Sequence, residues 1–148
     1  MVNLKPITKD NFDDVIELEV DENQDFVVDN VYSIAESKVD PSMIPLAIYN
    51  DTNLVGFLMY GINPDPDDNN YWIIRLMVDK KFQKNGYGKK AVELLIDRIK
   101  EDKNYSKIMV STDPENVVAI NLYKKLGFKT TGNIIDEEEV FELNYWYN

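Results

Sequence analysis

Apolar positions along this chain follow two spacings, and each switch between them marks a new element. The opening VNLKPI is a short apolar run that predicts a first strand. In NFDDVIELEV, Phe12, Val15, Ile16 and Leu18 fall at helical spacing, with Thr8 or Asp10 as the cap. FVVDNVYSIAES repeats that spacing at Val27, Val31 and Ile34, a second helix that should stop before Pro41. IPLAIYNDTNLVGFLMYGI holds two apolar runs around Asp51-Thr52-Asn53 and predicts a β-hairpin. NPDPDDNN is a polar, proline-containing loop, and YWIIRLMVD a dense strand expected to be buried on both faces. A helix from about Gly86 to Glu101 places Ala91, Leu94, Leu95 and Ile99 on one face. KIMVS is a strand, VVAINLYKKLGF a helix stopped by Gly127, and KTTGNII and EVFELNYWY are closing strands. No repeat or linker interrupts the order β-α-α-β-β-β-α-β-α-β-β. The pattern predicts one mixed α/β domain over residues 1–148.

Composition removes whole classes of chemistry. Sixteen basic and 27 acidic side chains leave a formal charge of −11. Such a field repels nucleic acid and anionic membranes and attracts cations, though acidity also serves solubility alone. The chain has no cysteine and no histidine. Disulfides, a thiolate nucleophile, a Ser-His-Asp triad and Cys- or His-built metal sites are therefore excluded, and no metal is expected. Chemistry must run on carboxylates, tyrosine, lysine, backbone amides or a borrowed cofactor. The start, MVNLKPITKD, lacks the apolar stretch of a signal peptide, and WIIRLMV is short and broken by Arg75. The expectation is a soluble, cytoplasmic protein.

Gly86-Tyr87-Gly88-Lys89-Lys90-Ala91 spells the dinucleotide-binding pattern G-x-G-x-x-G/A. The context is wrong for it. Asp79 to Asn85 separate the apolar strand from Gly86, no acid stands at the expected distance, and too little chain follows for a second half-fold. The Walker pattern G-x-x-x-x-G-K-[ST] is absent. What fits is Gln83-x-x-Gly86-x-Gly88 between a strand and a helix, where glycines let backbone N–H groups approach oxygen atoms. The helix N-terminus adds partial positive charge for a pyrophosphate, and Lys84, Lys89 and Lys90 add more. A solvent-exposed glycine-rich helix start would read the same way.

A second motif follows: ENVVAINLYKKLGF, with Asn116, Ala119, Leu122, Tyr123, Gly127 and Phe128. The pair, in this order and at this distance, resembles the GNAT superfamily of acetyl-CoA-dependent N-acetyltransferases over nearly the whole chain. The resemblance implies a mostly antiparallel mixed sheet of seven strands flanked by four helices, matching the deduced element count, with splayed central strands. It implies a pyrophosphate loop of Gln83, Lys84, Asn85, Gly86, Tyr87, Gly88 and Lys89, with Asn116 and Tyr123 contacting the cofactor from the later helix. Leu76, Met77 and Val78 should offer backbone groups to the pantetheine arm and the thioester carbonyl. VDENQDFVVDNVYSIAES, WIIRLMVDKKFQ and the Gly-Phe-x-x-x-Gly ending at Gly132 look like the bacterial spermine/spermidine acetyltransferase branch. One departure is Lys84-Asn85, where relatives often have Gly-Lys.

The resemblance implies acyl transfer to a primary amine of a small cationic acceptor, a polyamine first. Direct attack in a ternary complex is favoured, because no cysteine can carry an acetyl group. Tyr123 is the implied general acid, against the plain alternative of a packed helix aromatic. Glu22, Asp25, Asp29, Glu36 and Tyr71 are the candidate acceptor-site residues, against a solvated acidic face. Glu22 acting through water is the first candidate for taking the amine's proton, with water leading from Tyr71 or a backbone carbonyl as the other. Arg75 reads as an ion-paired structural residue. An aminoglycoside-like amine, a peptide amine, and a non-catalytic CoA-binding sensor are the rival readings. The aromatic C-terminus, Phe141 to Tyr147, predicts a strand that pairs in the sheet and lends surface to a homodimer.

Overall fold

The computed structural model describes every residue except 23, 25–27, 63–67 and 146–148. Its strands are β1 (Val2–Pro6), β2 (Met43–Asn50), β3 (Asn53–Ile62), β4 (Tyr71–Val78), β5 (Lys107–Thr112), β6 (Lys129–Ile135) and β7 (Glu138–Asn144). Its helices are α1 (Phe12–Ile16), α2 (Asn30–Val39), α3 (Tyr87–Lys100) and α4 (Val117–Lys125). The strands form one seven-stranded sheet in the order β1-β2-β3-β4-β5-β7-β6. All neighbours are antiparallel except β4 and β5.

Strand periodicity sorts the core into two layers. Leu46, Ile48, Leu58, Ile73, Ile108 and Phe141 pack with Ala91, Leu95 and Ile99 of α3 and Tyr123 of α4. The intervening positions Ala47, Phe57, Met59 and Met77 pack with Val15 of α1 and Ile34 of α2. Each fully buried aliphatic side chain contributes about 1.5–3 kcal/mol through burial.

The sheet opens in its middle. β4 and β5 pair only from Tyr71–Ile108 to Ile73–Val110. Beyond that point β4 keeps β3 as far as Val78, and β5 keeps β7 as far as Thr112. The β3–β4 register shifts between Met59 and Tyr60, leaving Ile74 without an opposite residue. Such a bulge bends its strand and raises the local twist. The result is a wedge between two strands, each with one unpaired edge.

Several expectations need correction. β4 faces both core layers, with Ile73 in one and Met77 in the other, but its other residues are only half-buried, because β5 leaves its side after Ile73. The first helix is a short turn, Phe12–Ile16, with Asn11 rather than Thr8 or Asp10 at its N-cap position. Asn11 is buried and turns its side chain back toward the end of β1, accepting from Thr8 N and donating to Pro6 O. The second helix begins at Asn30, and Val27 lies outside the described residues. Phe141, Leu143 and Tyr145 are buried within this chain's own core. β7 lies between β5 and β6, so these side chains offer no surface for a dimer. Trp146 and Tyr147 lie outside the described residues.

Candidate functional site

The turn that follows β4 is held open by its own side chains. Gln83 Nε2 donates to Val78 O at 2.9 Å, and Asn85 Nδ2 donates to Phe82 O at 3.0 Å. Lys84 has φ 67° and Gly86, the N-cap of α3, has φ 80°. Both are left-handed, a conformation that costs a non-glycine residue roughly 1–2 kcal/mol. Lys84 therefore bears strain where glycine would bear none. Among the described residues, the backbone N–H groups from Lys84 to Lys89 have no acceptor. Open donors at the head of a 14-residue helix favour an anion. Lys84 makes no ion pair among the described residues, whereas Lys89 and Lys90 reach Glu93 at 3.9 and 3.4 Å. Tyr87 turns inward, and its hydroxyl accepts from Asn50 Nδ2 at 3.0 Å.

The wedge between β4 and β5 is a cleft of about 690 Å³. Leu76 and Arg75 line one wall, Thr112 and Asp113 the other, and Asn116 and Tyr123 of α4 reach it from the side. Asn116 caps α4 by accepting from Ala119 N at 3.2 Å. Tyr123 is only 4% exposed and packs edge-on against Phe128. Burial alone drives its hydroxyl above the ordinary tyrosine range, and no group among the described residues hydrogen-bonds to it. A buried hydroxyl of this kind keeps its proton until a stronger base arrives.

A second cleft, of about 870 Å³, adjoins the first, with Val28 in both walls. It is lined by the segment from Ile16 to Glu22, by Asp29, and by Met77 and Asp79 to Lys81. Glu22 and Asp29 are exposed in this wall, and Asp25 lies outside the described residues. Glu36 is elsewhere, paired with Arg75 at 3.0 Å. Tyr71 lines neither cleft. Its hydroxyl donates to Asp102 at 2.8 Å, and its ring stacks on Tyr60 and meets Tyr105 edge-on. Burial and the hydrogen bond to the Asp102 carboxylate both push its pKa above the ordinary tyrosine range, so Tyr71 keeps its proton, packed half-buried against the core and outside both clefts.

The chain matches the acetyltransferase (GNAT) family over residues 10–128. It belongs to the GNAT acetyltransferase family. It is 31% identical, over 90% of its length and 91% of the relative's, to the spermine/spermidine N(1)-acetyltransferase of Bacillus subtilis. Among solved structures it resembles the PaiA N-acetyltransferase of Thermoplasma acidophilum in complex with coenzyme A. There the TM-score is 0.71 at 16% identity, covering 98% of this chain and 99% of that one. It also resembles AAC(6')-Ib in complex with paromomycin and acetyl-CoA, at TM-score 0.79 and 16% identity, covering 97% and 93%. These two likenesses speak to the fold.

Acetyl-CoA is the family's acyl donor, and this GNAT chain has the groups to hold it. Free N–H donors stand at the head of α3, and β4 has an unpaired edge beyond Ile73. Such an edge hydrogen-bonds an extended amide-bearing chain as a neighbouring strand would. No group of three His, Cys, Asp or Glu among the described residues could hold a metal ion. No described helix is long and apolar enough to cross a membrane.

Sequence reasoning missed the joint between the two walls. Asp79, 4% exposed, accepts from Glu19 N at 2.9 Å and from Lys81 N at 3.0 Å. Lys80 N donates to Glu19 O, and Gln83 Nε2 also donates to Gln24 Oε1 at 2.8 Å. The segment from Glu19 to Gln24 thus hangs on the turn that follows β4. Asp79 stood in plain view in the VDKK stretch, but only its depth reveals the role. Asp113 and the Asp136–Glu138 turn, which line the cleft of Tyr123, carried no signal beyond being acidic.

Proposed function

We propose that this GNAT enzyme acetylates a primary amine of a small polycation, most simply spermine or spermidine. The observation that carries the reading is the setting of Tyr123: a buried tyrosine, without a hydrogen-bond partner among the described residues, in a cleft rimmed by carboxylates. When bound, acetyl-CoA supplies the activated acyl carbon. The acceptor amine attacks directly; the C–N bond forms as the C–S bond breaks. Tyr123 gives its proton to the departing thiolate. Burial disfavours the thiolate as it does the tyrosinate, so this transfer exchanges one buried anion for another instead of creating one. Unpaired backbone N–H groups at the edge of Leu76 to Val78 steady the developing oxyanion. The proton lost by the amine passes through water to a carboxylate, with Glu22 first in line. Glu22 and Asp29, and Asp25 beside them in sequence, attract the remaining ammonium groups.

Support comes from similarity to the Bacillus subtilis relative and from the acidic rims of both clefts. An aminoglycoside would satisfy the same rims and is the second acceptor to try. We further place the enzyme in the cytoplasm as one domain over residues 1–148. A homodimer remains part of the proposal, now through the exposed Ile134 and Ile135 of the edge strand β6. The deciding experiment measures thiol release from acetyl-CoA with spermine, spermidine, a monoamine of similar length and an aminoglycoside. Polyamines should be the better substrates, increasingly so at low salt. Equal rates for spermine and the monoamine, insensitive to salt, would refute the polyamine reading. CoA binding without turnover of any amine would point to a sensor.

A further inference from the structure

Arg75 is a cation in a cleft that is to receive a cation. It is the second residue of β4 beyond the last β4–β5 pair, and it lines the same cleft as Tyr123. Its guanidinium is pinned from two sides: Nη1 donates to Ile74 O at 2.9 Å, and Nη2 meets Glu36 Oε1 of α2 at 3.0 Å. Arg75 Nε is buried with no hydrogen-bond partner among the described residues. The two side chains are 23% and 28% exposed, so solvent screens their charges only in part. From the other elements the cleft faces Arg75 with Asp113 after β5, with Asp136 and Glu137 in the β6–β7 turn, with Glu138 of β7, and with neutral Tyr123 of α4. Glu138 already accepts from Ser111 Oγ at 2.8 Å.

An arginine always carries its charge, and a partner that merely balanced it would be served equally well by two apolar residues. The geometry suggests a use. An alkylamine has a pKa near ~10, so it reaches the enzyme as ammonium and cannot attack a thioester until the proton leaves. A fixed positive charge in the cleft favours the neutral amine there, while distal ammonium groups are held by carboxylates farther out. We infer that Arg75 determines which nitrogen of the acceptor is held neutral for attack, and that Glu36 sets how strongly the cleft feels that charge. The inference rests on the amine-acceptor reading above. It makes the pair a specificity device as well as a tie between α2 and β4.

Substitutions of opposite sign test it. Glu36→Gln keeps an oxygen acceptor for Nη2 but removes the negative charge. Arg75→Met removes the positive charge, and Arg75→Lys restores it. Two readouts apply: kcat against pH with spermine and acetyl-CoA, and the ¹⁵N shift of labelled spermine bound beside CoA, titrated with pH. Glu36→Gln should move the acidic limb of kcat and the bound-amine titration to lower pH by about 0.5–1 unit. Arg75→Met should move both to higher pH by a similar amount, and Arg75→Lys should return them toward wild type. The direction holds whether the limb belongs to the amine or to the carboxylate receiving its proton, since positive charge lowers both. A purely structural pair would instead lower the plateau rate in both variants with the limb unmoved, or shift both variants the same way; either result overturns the inference. If Arg75→Met fails to fold, Glu36→Gln decides alone. Wild-type enzyme that turns over no amine would overturn the acceptor reading and this inference together, whereas turnover with unmoved limbs overturns the inference only.

Discussion

The two walls of the site are built by opposite means. The wall proposed for the cofactor is made of backbone: a turn with two left-handed residues, an open set of N–H groups, and α3 anchored by Ala91, Leu95 and Ile99. A Cβ on Gly86 would meet nothing within 4 Å, so its glycine serves conformation and access rather than space. The wall proposed for the acceptor, from Glu17 to Val20, has no regular structure and hangs from Asp79 and Lys80. The difference teaches which part is self-supporting. A helix and its cap keep their shape from local hydrogen bonds, whereas the acceptor segment keeps its shape only while the loop beneath it does.

That contrast can be broken from either side. The largest effect should come from Tyr123→Phe, which removes a proton donor but keeps the ring against Phe128. We expect kcat to fall by about 100-fold with both KM values nearly unchanged. A variant with wild-type kcat would return Tyr123 to the status of a core aromatic. Because burial holds the hydroxyl above the ordinary tyrosine range, the proton-bearing form persists as pH rises to 10. Wild-type kcat should therefore show no alkaline decline there from this group, which a pH profile checks.

Next in size is Gly86→Val, which forces a β-branched residue into the left-handed region and puts methyl groups over the open N–H set. Acetyl-CoA affinity by calorimetry should weaken at least about tenfold, close to 1.4 kcal/mol, with helix content intact by circular dichroism. Unchanged affinity would remove the loop from the cofactor wall. Asp79→Ala attacks the joint. It strips acceptors from Glu19 N and Lys81 N, and leaving these part-buried donors unmet costs at most about 1–3 kcal/mol. Urea unfolding should show that loss, and KM for spermine should rise more than KM for acetyl-CoA. Equal rises would mean that the joint supports both walls alike.

The smallest effect should come from Glu22→Gln and Asp29→Asn. Both carboxylates are exposed, and exposed charge pairs contribute only about 0.2–1 kcal/mol. KM for spermine should rise a few-fold at low salt and converge on wild type at high salt. If Glu22 also receives the amine's proton, its amide should lose kcat as well, most of all at low pH where the amine is charged.

Much of this molecule was decided locally and could be read before it was folded. The helical spacing of Ala91, Leu95 and Ile99, the two apolar runs that became β2 and β3, and the stop at Gly127 were each legible along the chain, and burial is what sorts the layers. The Gln83–Gly88 turn was legible because its requirement is a backbone conformation, which few residue types meet. The rest depended on what happens between distant segments. WIIRLMV reads as a buried strand whether or not a neighbour stays beside it, so the departure of β5 after Val110 leaves no trace in the apolar pattern. Asp79 and Glu19 lie 60 residues apart, as Glu36 and Arg75 lie 39 apart, and a carboxylate looks the same in sequence on a solvated face or beneath a wall. Periodicity records the direction of burial along one element; it holds no information on which edge goes unpaired or which charge lies opposite. The tertiary fold alone decided both, and with them the shape and charge of the cleft.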